Sequence, residues 1–202
     1  MAEEKKDTQS LEATRSVVLV GVGGQGTILA ANILARVLLA RGYDVKTSEV
    51  HGMAQRGGSV VSMVRFGESV ASPLVPLGEA EAVVATEMLE ALRYTALLAP
   101  GGKMIVARTR IDPLPVLQGA AEYPEDAEQR ILEGVPGSVV VDAVAIATEA
   151  GNARAANTVL LGILSRALDA PEEAWLAALE ELVPARVLDV NREAFARGRA
   201  LA

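Results

Sequence analysis

The sequence predicts an α/β fold: a mostly parallel sheet with helices on both faces and a helical C-terminal part. Three observations predict it. Short β-branched-rich runs alternate with segments of helical spacing as far as Val141. A glycine-rich turn, Gly21-Val22-Gly23-Gly24-Gln25-Gly26, joins the first such run to the first helical segment. From Asp142 onward the pattern is almost entirely helical. A chain of 202 residues is long enough for one well-buried domain and too short for two ordinary ones. Residues 15–202 are therefore expected to form a single domain, behind a flexible charged tail over 1–14.

The elements follow in order. Ser16 to Val20 is apolar throughout after its serine, as a strand buried on both faces would be. Thr27 to Arg41 places Ile28, Leu29, Ile33, Leu34, Val37 and Leu38 at helical spacing, and Gly42 stops the helix as a C′ residue. Tyr43 to Val50 reads as the second strand, completing one βαβ unit with a right-handed crossover. Ser59 to Phe66 and Ala82 to Thr86 are the third and fourth strands, and a helix is expected from Met88 to Leu98. Pro100-Gly101-Gly102 turns into a strand over 103–107. Pro113, Pro115 and Pro124 mark 111–124 as irregular. A short helix over 125–133 and a strand over 138–141 precede helices at 143–150, 153–168, 171–182 and 190–200. Pro171 with Glu172 and Glu173 suits the start of the third of these, since carboxylates there complement the helix dipole.

Composition narrows the function. Half of the residues are hydrophobic, but only six are aromatic, so Ala, Val and Leu must fill a closely packed core. The net charge of −7, without a stripe of Lys and Arg, argues against a nucleic-acid surface. With no cysteine the chain can form no disulfide and hold no iron–sulfur cluster, and a single histidine excludes a multi-histidine metal site. Neither a signal peptide nor a run of membrane-spanning length is visible, so a cytoplasmic location is expected.

Two glycine-rich segments carry the chemistry. A strand, a G-x-G-x-x-G turn and a helix together form a phosphate cradle. Gly21 allows the tight turn, Gly23 admits a ligand close to the backbone, and Gly26 lets helix pack on strand. Glu49, at the end of the second strand, stands where an acid would hold ribose hydroxyls. This Rossmann-like reading makes the chain a free-standing NAD(P)- or FAD-binding protein. The opposing reading is a tight βα turn that binds no nucleotide. Gln25 either reaches a ligand or partner, or caps the backbone beside it.

The second segment, His51-Gly52-Met53-Ala54-Gln55-Arg56-Gly57-Gly58, is not what a dinucleotide fold needs after its second strand. It gathers an imidazole, an amide and a guanidinium among three glycines. It should lie beside the first turn, at the carboxyl ends of the strands where α/β sheets place ligands. His51 either meets substrate, coenzyme A or a partner, or fixes the loop; histidine as a residue type changes charge near neutral pH. Arg56 offers a planar fork to a carboxylate or phosphate, or pairs with a local acid such as Glu49. Gln55 either orients a bound group or satisfies the turn. Gly57 and Gly58 are backbone requirements. Arg65 is expected at solvent or in an ion pair, and Glu87, Asp142 and Asn152 as helix caps. Asn157 needs a partner if it is buried. Gly162 implies a close helix crossing, and Trp175 and Phe195 are core or interface anchors.

At these residues the chain resembles the gamma-type subunit or domain of the 2-oxoacid:ferredoxin oxidoreductases. The resemblance rests on GVGGQG (21–26), SEVHGMAQRGGSVVSMVRFG (48–67), Ser72-Pro73-Leu74 and GNARAANTVLLGILS (151–165), and extends over about 16–200. The HGMAQRGG form is most similar to the indolepyruvate branch. The resemblance implies a holoenzyme that oxidatively decarboxylates an aryl 2-oxo acid to an acyl-CoA, with ferredoxin as electron acceptor. It implies that thiamine diphosphate and the iron–sulfur clusters sit in a larger alpha subunit, that coenzyme A is co-substrate, and that this chain holds no redox cofactor. The implied contact residues are Gly21, Gly23, Gly24, Gln25, Gly26, Gln55, Arg56, Gly57 and Gly58, with His51 and Arg56 the candidates for a role in the chemistry.

Overall fold

The computed structural model describes residues 13–52, 57–168 and 170–202. Nearly all of the expected tail, together with Met53, Ala54, Gln55, Arg56 and Asp169, lies outside the described residues. Six strands form one sheet: β1 (Arg15–Val22), β2 (Asp44–His51), β3 (Ser59–Gly67), β4 (Ala80–Ala85), β5 (Leu98–Ala107) and β6 (Val139–Val141). The helices are α1 (Thr27–Ala40), α2 (Met88–Arg93), α3 (Leu114–Leu117), α4 (Ala127–Gly134), α5 (Ala143–Glu149), α6 (Ala156–Ala167), α7 (Glu172–Leu182) and α8 (Leu188–Arg199).

The strand order is β2-β3-β1-β4-β5-β6. β1, β4, β5 and β6 pair in parallel, whereas β3 is antiparallel to both β1 and β2. The expected βαβ unit is thus modified, because β2 does not lie beside β1. The chain turns back after His51, so β3 pairs antiparallel with β2. Burial then sorts the two strands. β3 brings Val60, Val61, Val64 and Phe66 to the interior, while β2 exposes Lys46, Thr47, Glu49 and Val50 and takes the edge.

Alternation along the strands builds two cores. Val17, Leu19, Val64, Phe66, Val84 and Ile105 face α1 and the C-terminal helices. Val18, Val20, Val61, Val83, Met104 and Val106 face α2 and α4. Trp175 and Phe195, both fully buried, pack with ring centroids 5.8 Å apart and belong to the first core. The expected close crossing is that of α6 on α8. A Cβ at Gly162 would stand 2.2 Å from the Phe195 carbonyl, and one at Gly198 would stand 2.0 Å from that of Val159.

Two boundaries differ from expectation. α2 stops at Arg93 and a 3-10 turn (Thr95–Leu97) leads directly into β5, which starts at Leu98 and runs through Pro100-Gly101-Gly102. A register shift against β4 between Ala80 and Ala82 absorbs that glycine pair. Within the stretch expected to be irregular, Leu114–Leu117 forms a single helical turn after Pro113.

Candidate functional site

The two glycine-rich segments meet at the carboxyl ends of β1 and β2, as expected. The Gly23 N–H donates to the Gly58 carbonyl at 2.8 Å, and the Gly57 N–H donates back to Gly23 at 3.5 Å. Gly57, at φ 77°, takes the left-handed conformation that its place in this junction requires. Below it, the Ser59 hydroxyl donates at 2.5 Å to Glu90, a carboxylate only 3% exposed that also pairs with Arg93 at 2.6 Å. α2 therefore holds the base of the second loop.

The first turn is built differently from a dinucleotide cradle. Gly21 is still in β1, opposite Val60, and a Cβ there would meet the Thr86 hydroxyl at 1.9 Å. Close packing against Thr86, rather than a tight turn, accounts for this glycine. The turn itself spans Val22 to Gln25, with the Gln25 N–H donating to Val22 at 3.2 Å. Gly26 precedes α1 as a left-handed N-cap at φ 77°. Its open side faces Asn157 of α6, whose Nδ2 would stand 2.6 Å from a Cβ there. It thus admits a neighbouring helix instead of packing α1 on β1. Asn157, 5% exposed, donates to the Gly26 carbonyl at 3.0 Å, which supplies the partner that its burial demands. The Thr158 hydroxyl lies 3.3 Å from the Asn157 side-chain Oδ1 and donates to the Asn191 Oδ1 of α8 at 2.7 Å, linking the turn to the C-terminal helices.

Gln25 closes the crevice between β1 and β4. α1 leaves β1 toward one face and α2 leaves β4 toward the other, so this is where an α/β sheet opens to a ligand. The Gln25 Oε1 accepts from the Val22 N–H at 2.8 Å and from the Thr86 hydroxyl at 2.7 Å. Its Nε2 donates to the Thr86 carbonyl at 2.9 Å. The amide is spent on the scaffold and caps both strand ends.

Two clefts flank this plug. One, of about 440 Å³, lies between the turn and the β2 edge and is lined by Gly23, Gly24, Gly26, Thr27, Ile28 and His51. His51 is exposed there, its Nδ1 3.3 Å from the Gly52 carbonyl. The other, of about 460 Å³, is lined on its polar side by Gly24, Gln25, Thr86, Thr109, Arg154 and Asn157. The Arg154 guanidinium pairs with none of the described residues. α1 starts without a side-chain cap, leaving the N–H groups of its first turn without helical acceptors beside these clefts. A hollow of about 510 Å³ lined by Glu81, Lys103 and Arg166 opens at the opposite end of the sheet, away from both loops.

The remaining residues fall into scaffold roles. Glu87, 1% exposed, caps α2 through the Glu90 N–H at 2.8 Å and accepts from the Tyr123 hydroxyl at 2.6 Å. Burial, reinforced by that carboxylate, pushes the Tyr123 hydroxyl well above its usual pKa. Asp142 caps α5 at 2.9 Å and Asn152 caps the turn before α6 at 3.0 Å. Arg65 pairs with Glu79 at 3.1 Å and donates to the Leu74 carbonyl, outside both clefts. Glu49 is exposed opposite Ser62 on the edge strand. With β3 between β2 and β1, it stands about 4.8 Å farther from the turn than an acid on an adjacent strand would. Thr86, Thr109 and Ser59 escaped the sequence reading because their roles depend on strand order. Arg154 lies within the 151–165 segment but carries no local signal.

The family model described as pyruvate ferredoxin/flavodoxin oxidoreductase matches residues 16–201. The chain belongs to this family. It is 42% identical over 188 residues to indolepyruvate oxidoreductase subunit IorB of Thermococcus kodakarensis, covering 91% of this chain and 93% of that one. Among solved structures it is similar to pyruvate oxidoreductase subunit PORC of Thermotoga maritima, at a TM-score of 0.71 and 25% identity over 94% of this chain and 97% of that one. The 2-oxoglutarate:ferredoxin oxidoreductase of Magnetococcus marinus shares the fold, with a TM-score of 0.71 and 22% identity over 95% of this chain and 31% of that longer one. Family membership gives the paired loops a setting other than a dinucleotide fold. The plugged crevice and the displaced Glu49 agree with it.

Proposed function

We propose that this chain is the smaller, accessory subunit of a thiamine diphosphate-dependent indolepyruvate (aryl 2-oxo acid):ferredoxin oxidoreductase. The observation that carries this reading is the match to an indolepyruvate oxidoreductase subunit along nearly the full length of both chains. The larger subunit supplies thiamine diphosphate and iron–sulfur clusters, which together decarboxylate the oxo acid and pass its electrons to ferredoxin. This chain has no cysteine to ligate a cluster, and its described residues hold no group of three or more His, Cys, Asp or Glu suited to a metal. On its own it is inactive. A cytoplasmic location goes with the proposal.

Its contribution is the face formed by the 21–26 turn and the 51–58 loop, which meets the partner near the reacting centre. Coenzyme A is the co-substrate. Its anionic groups suit the clefts beside Gly24 and Gly26, where the uncapped start of α1 and Arg154, whose guanidinium has no partner among the described residues, both favour negative charge. His51, Gly57 and Gly58 stand on the same face, and Gln55 and Arg56, between them in the sequence, belong to the same proposed contact set. The free-standing dinucleotide reading has less support, because Gln25 fills the β1/β4 crevice and Glu49 lies on the far edge strand.

The test is reconstitution. Coexpressed with the larger subunit, the chain should support coenzyme A-dependent oxidation of indolepyruvate with ferredoxin as acceptor. Either subunit alone should not. Arg154→Glu should raise the KM for coenzyme A several-fold while leaving assembly intact. Stoichiometric binding of NADH by the isolated chain, followed by its fluorescence, would overturn the proposal.

A further inference from the structure

The segment joining β5 to α4 is tied down along both legs and bare at its tip. On the outgoing leg Arg108 makes a two-pronged pair with Glu128 at 2.7 and 2.8 Å. The Thr109 carbonyl accepts from the Met88 N–H at 3.1 Å, and the Ile111 N–H donates to Glu87 at 3.3 Å. Arg110 bonds Asp112 and Glu125, each at 2.7 Å, and lies 4.4 Å over the ring of Tyr123 on the returning leg. Tyr123, 5% exposed, donates to the same buried Glu87. One carboxylate at the start of α2 thus anchors both legs.

Between them no residue from Leu114 to Glu122 is buried, yet the turn is ordered from within. The Leu117 N–H donates to Pro113 at 3.1 Å, that of Gln118 to Leu114 at 3.0 Å, and those of Ala120 and Ala121 to Pro115. Pro113 and Pro115 stiffen the backbone further. Residues 113–121 (PLPVLQGAA) carry no charge, and Leu114 and Leu117 are 64% and 70% exposed. Ordering a chain costs conformational entropy, which burial normally offsets, and here only Pro113 and Val116 are even partly buried in return. A preformed apolar projection of this kind suits binding, because little ordering remains to be done on contact.

We infer that the 113–121 tip is a docking anchor, with Leu114 and Leu117 entering an apolar groove on the larger, non-identical subunit. The inference rests on the accessory-subunit reading and specifies how that partner is held. The position of the tip selects this occupant. Thr109, at the foot of the outgoing leg, lines the cleft beside Gly24 and Gly26. Five residues span at most about 17 Å, so Leu114 lies within that reach of the cleft beside the paired loops. Ile28, Val50 and Val144, each at least 40% exposed, add apolar surface at the carboxyl ends of β1, β2 and β6. Arg108, Arg110, Asp112 and Glu125 on the legs are already paired within the chain, so apart from a site facing Glu122 the partner need supply only apolar surface.

The test uses the chain coexpressed with an affinity-tagged larger subunit. Leu114→Asp/Leu117→Asp should weaken association by at least about 100-fold. The isolated variant should keep the wild-type circular dichroism and a Tm within about 2 °C of wild type, since both side chains are exposed. Leu74→Asp/Leu77→Asp, at exposed positions between β3 and β4 at the other end of the sheet, should assemble normally. Undiminished association of the 114/117 variant would overturn the inference, as would loss of association in the 74/77 variant. So would light scattering showing that the isolated wild-type chain is a dimer which the 114/117 changes split. A wild-type chain that never associates with a larger subunit would instead refute the accessory-subunit reading itself.

Discussion

Gly162→Ala probes the packing that carries the turn, because α6 holds both Gly162 and the Asn157 that grips Gly26. Intrinsic propensity alone favours the change by about 1 kcal/mol in a helix interior. The crossing opposes it. The new Cβ would sit 2.2 Å from the Phe195 carbonyl oxygen, 2.7 Å from the Arg199 nitrogen and 3.0 Å from the Gly198 carbonyl carbon, all of them backbone atoms of α8. No rotamer can relieve that, so the helices must part by about 1.2 Å to bring 2.2 Å to the 3.4 Å of ordinary contact. Overpacking of this order costs roughly 1–3 kcal/mol in a well-packed core, and the rigid backbone puts this case at the upper end. After the propensity gain, a net loss of about 2 kcal/mol is expected, or a fall in Tm of roughly 4–8 °C for a domain of this size. Gly198→Ala should cost a similar amount, since its Cβ would meet the Val159 carbonyl at 2.0 Å. The double variant should cost clearly less than the two added together, because one separation of the helices serves both. Urea and thermal unfolding of the isolated chain measure all three. A neutral or stabilised Gly162→Ala would refute the close-crossing argument, and strict additivity would refute the shared separation.

Gln25→Ala removes the plug and leaves the Val22 N–H and the Thr86 carbonyl without their side-chain partner, so a loss of about 2–4 kcal/mol is expected in urea unfolding; a loss below about 0.5 kcal/mol would mean that water replaces the amide freely. Tyr123→Phe bears on pH dependence. Because the hydroxyl's pKa is raised in the folded chain, its contribution is fully present below its unfolded value of about 10 and is lost as pH rises beyond that. Wild type should therefore lose stability more steeply than Tyr123→Phe above pH 10, and parallel Tm profiles would count against the Glu87 bond. In the assembled complex His51→Ala should lower turnover without loss of the partner; unchanged turnover would reduce His51 to a loop residue.

Much of the element order was legible because each strand carries its own pattern. The β-branched run of β1, the helical spacing after Gly26 and the glycine at 42 are local signals that burial alone reinforces. The meeting of the two glycine-rich loops was legible too, since both follow strands of one sheet. Less legible was the function of single residues within them. Gln25 was equally able to serve a ligand or the backbone until β4 brought Thr86 against it. Asn157 was recognisable only as a residue in need of a partner. That its partner is the carbonyl of Gly26, 131 positions earlier, depends on how α6 crosses the sheet. Glu49 misled for the same reason: its place at a strand end was right, but an inserted antiparallel strand moved it away from the turn.

The sequence by itself determined the layered α/β architecture, the helical C-terminal part, the absence of any thiol site for a redox cluster, and the family, through its paired glycine-rich motifs. Periodicity, composition and short motifs are properties of neighbouring residues, and these suffice for such conclusions. Tertiary structure alone decided the strand order, the closing of the β1/β4 crevice by Gln25, the anchoring of two loops by Glu87 and Glu90, and the projection of Leu114 and Leu117 as an uncovered tip. Each of these depends on contacts between segments far apart in the chain, where the burial of one element fixes what its distant neighbour can touch.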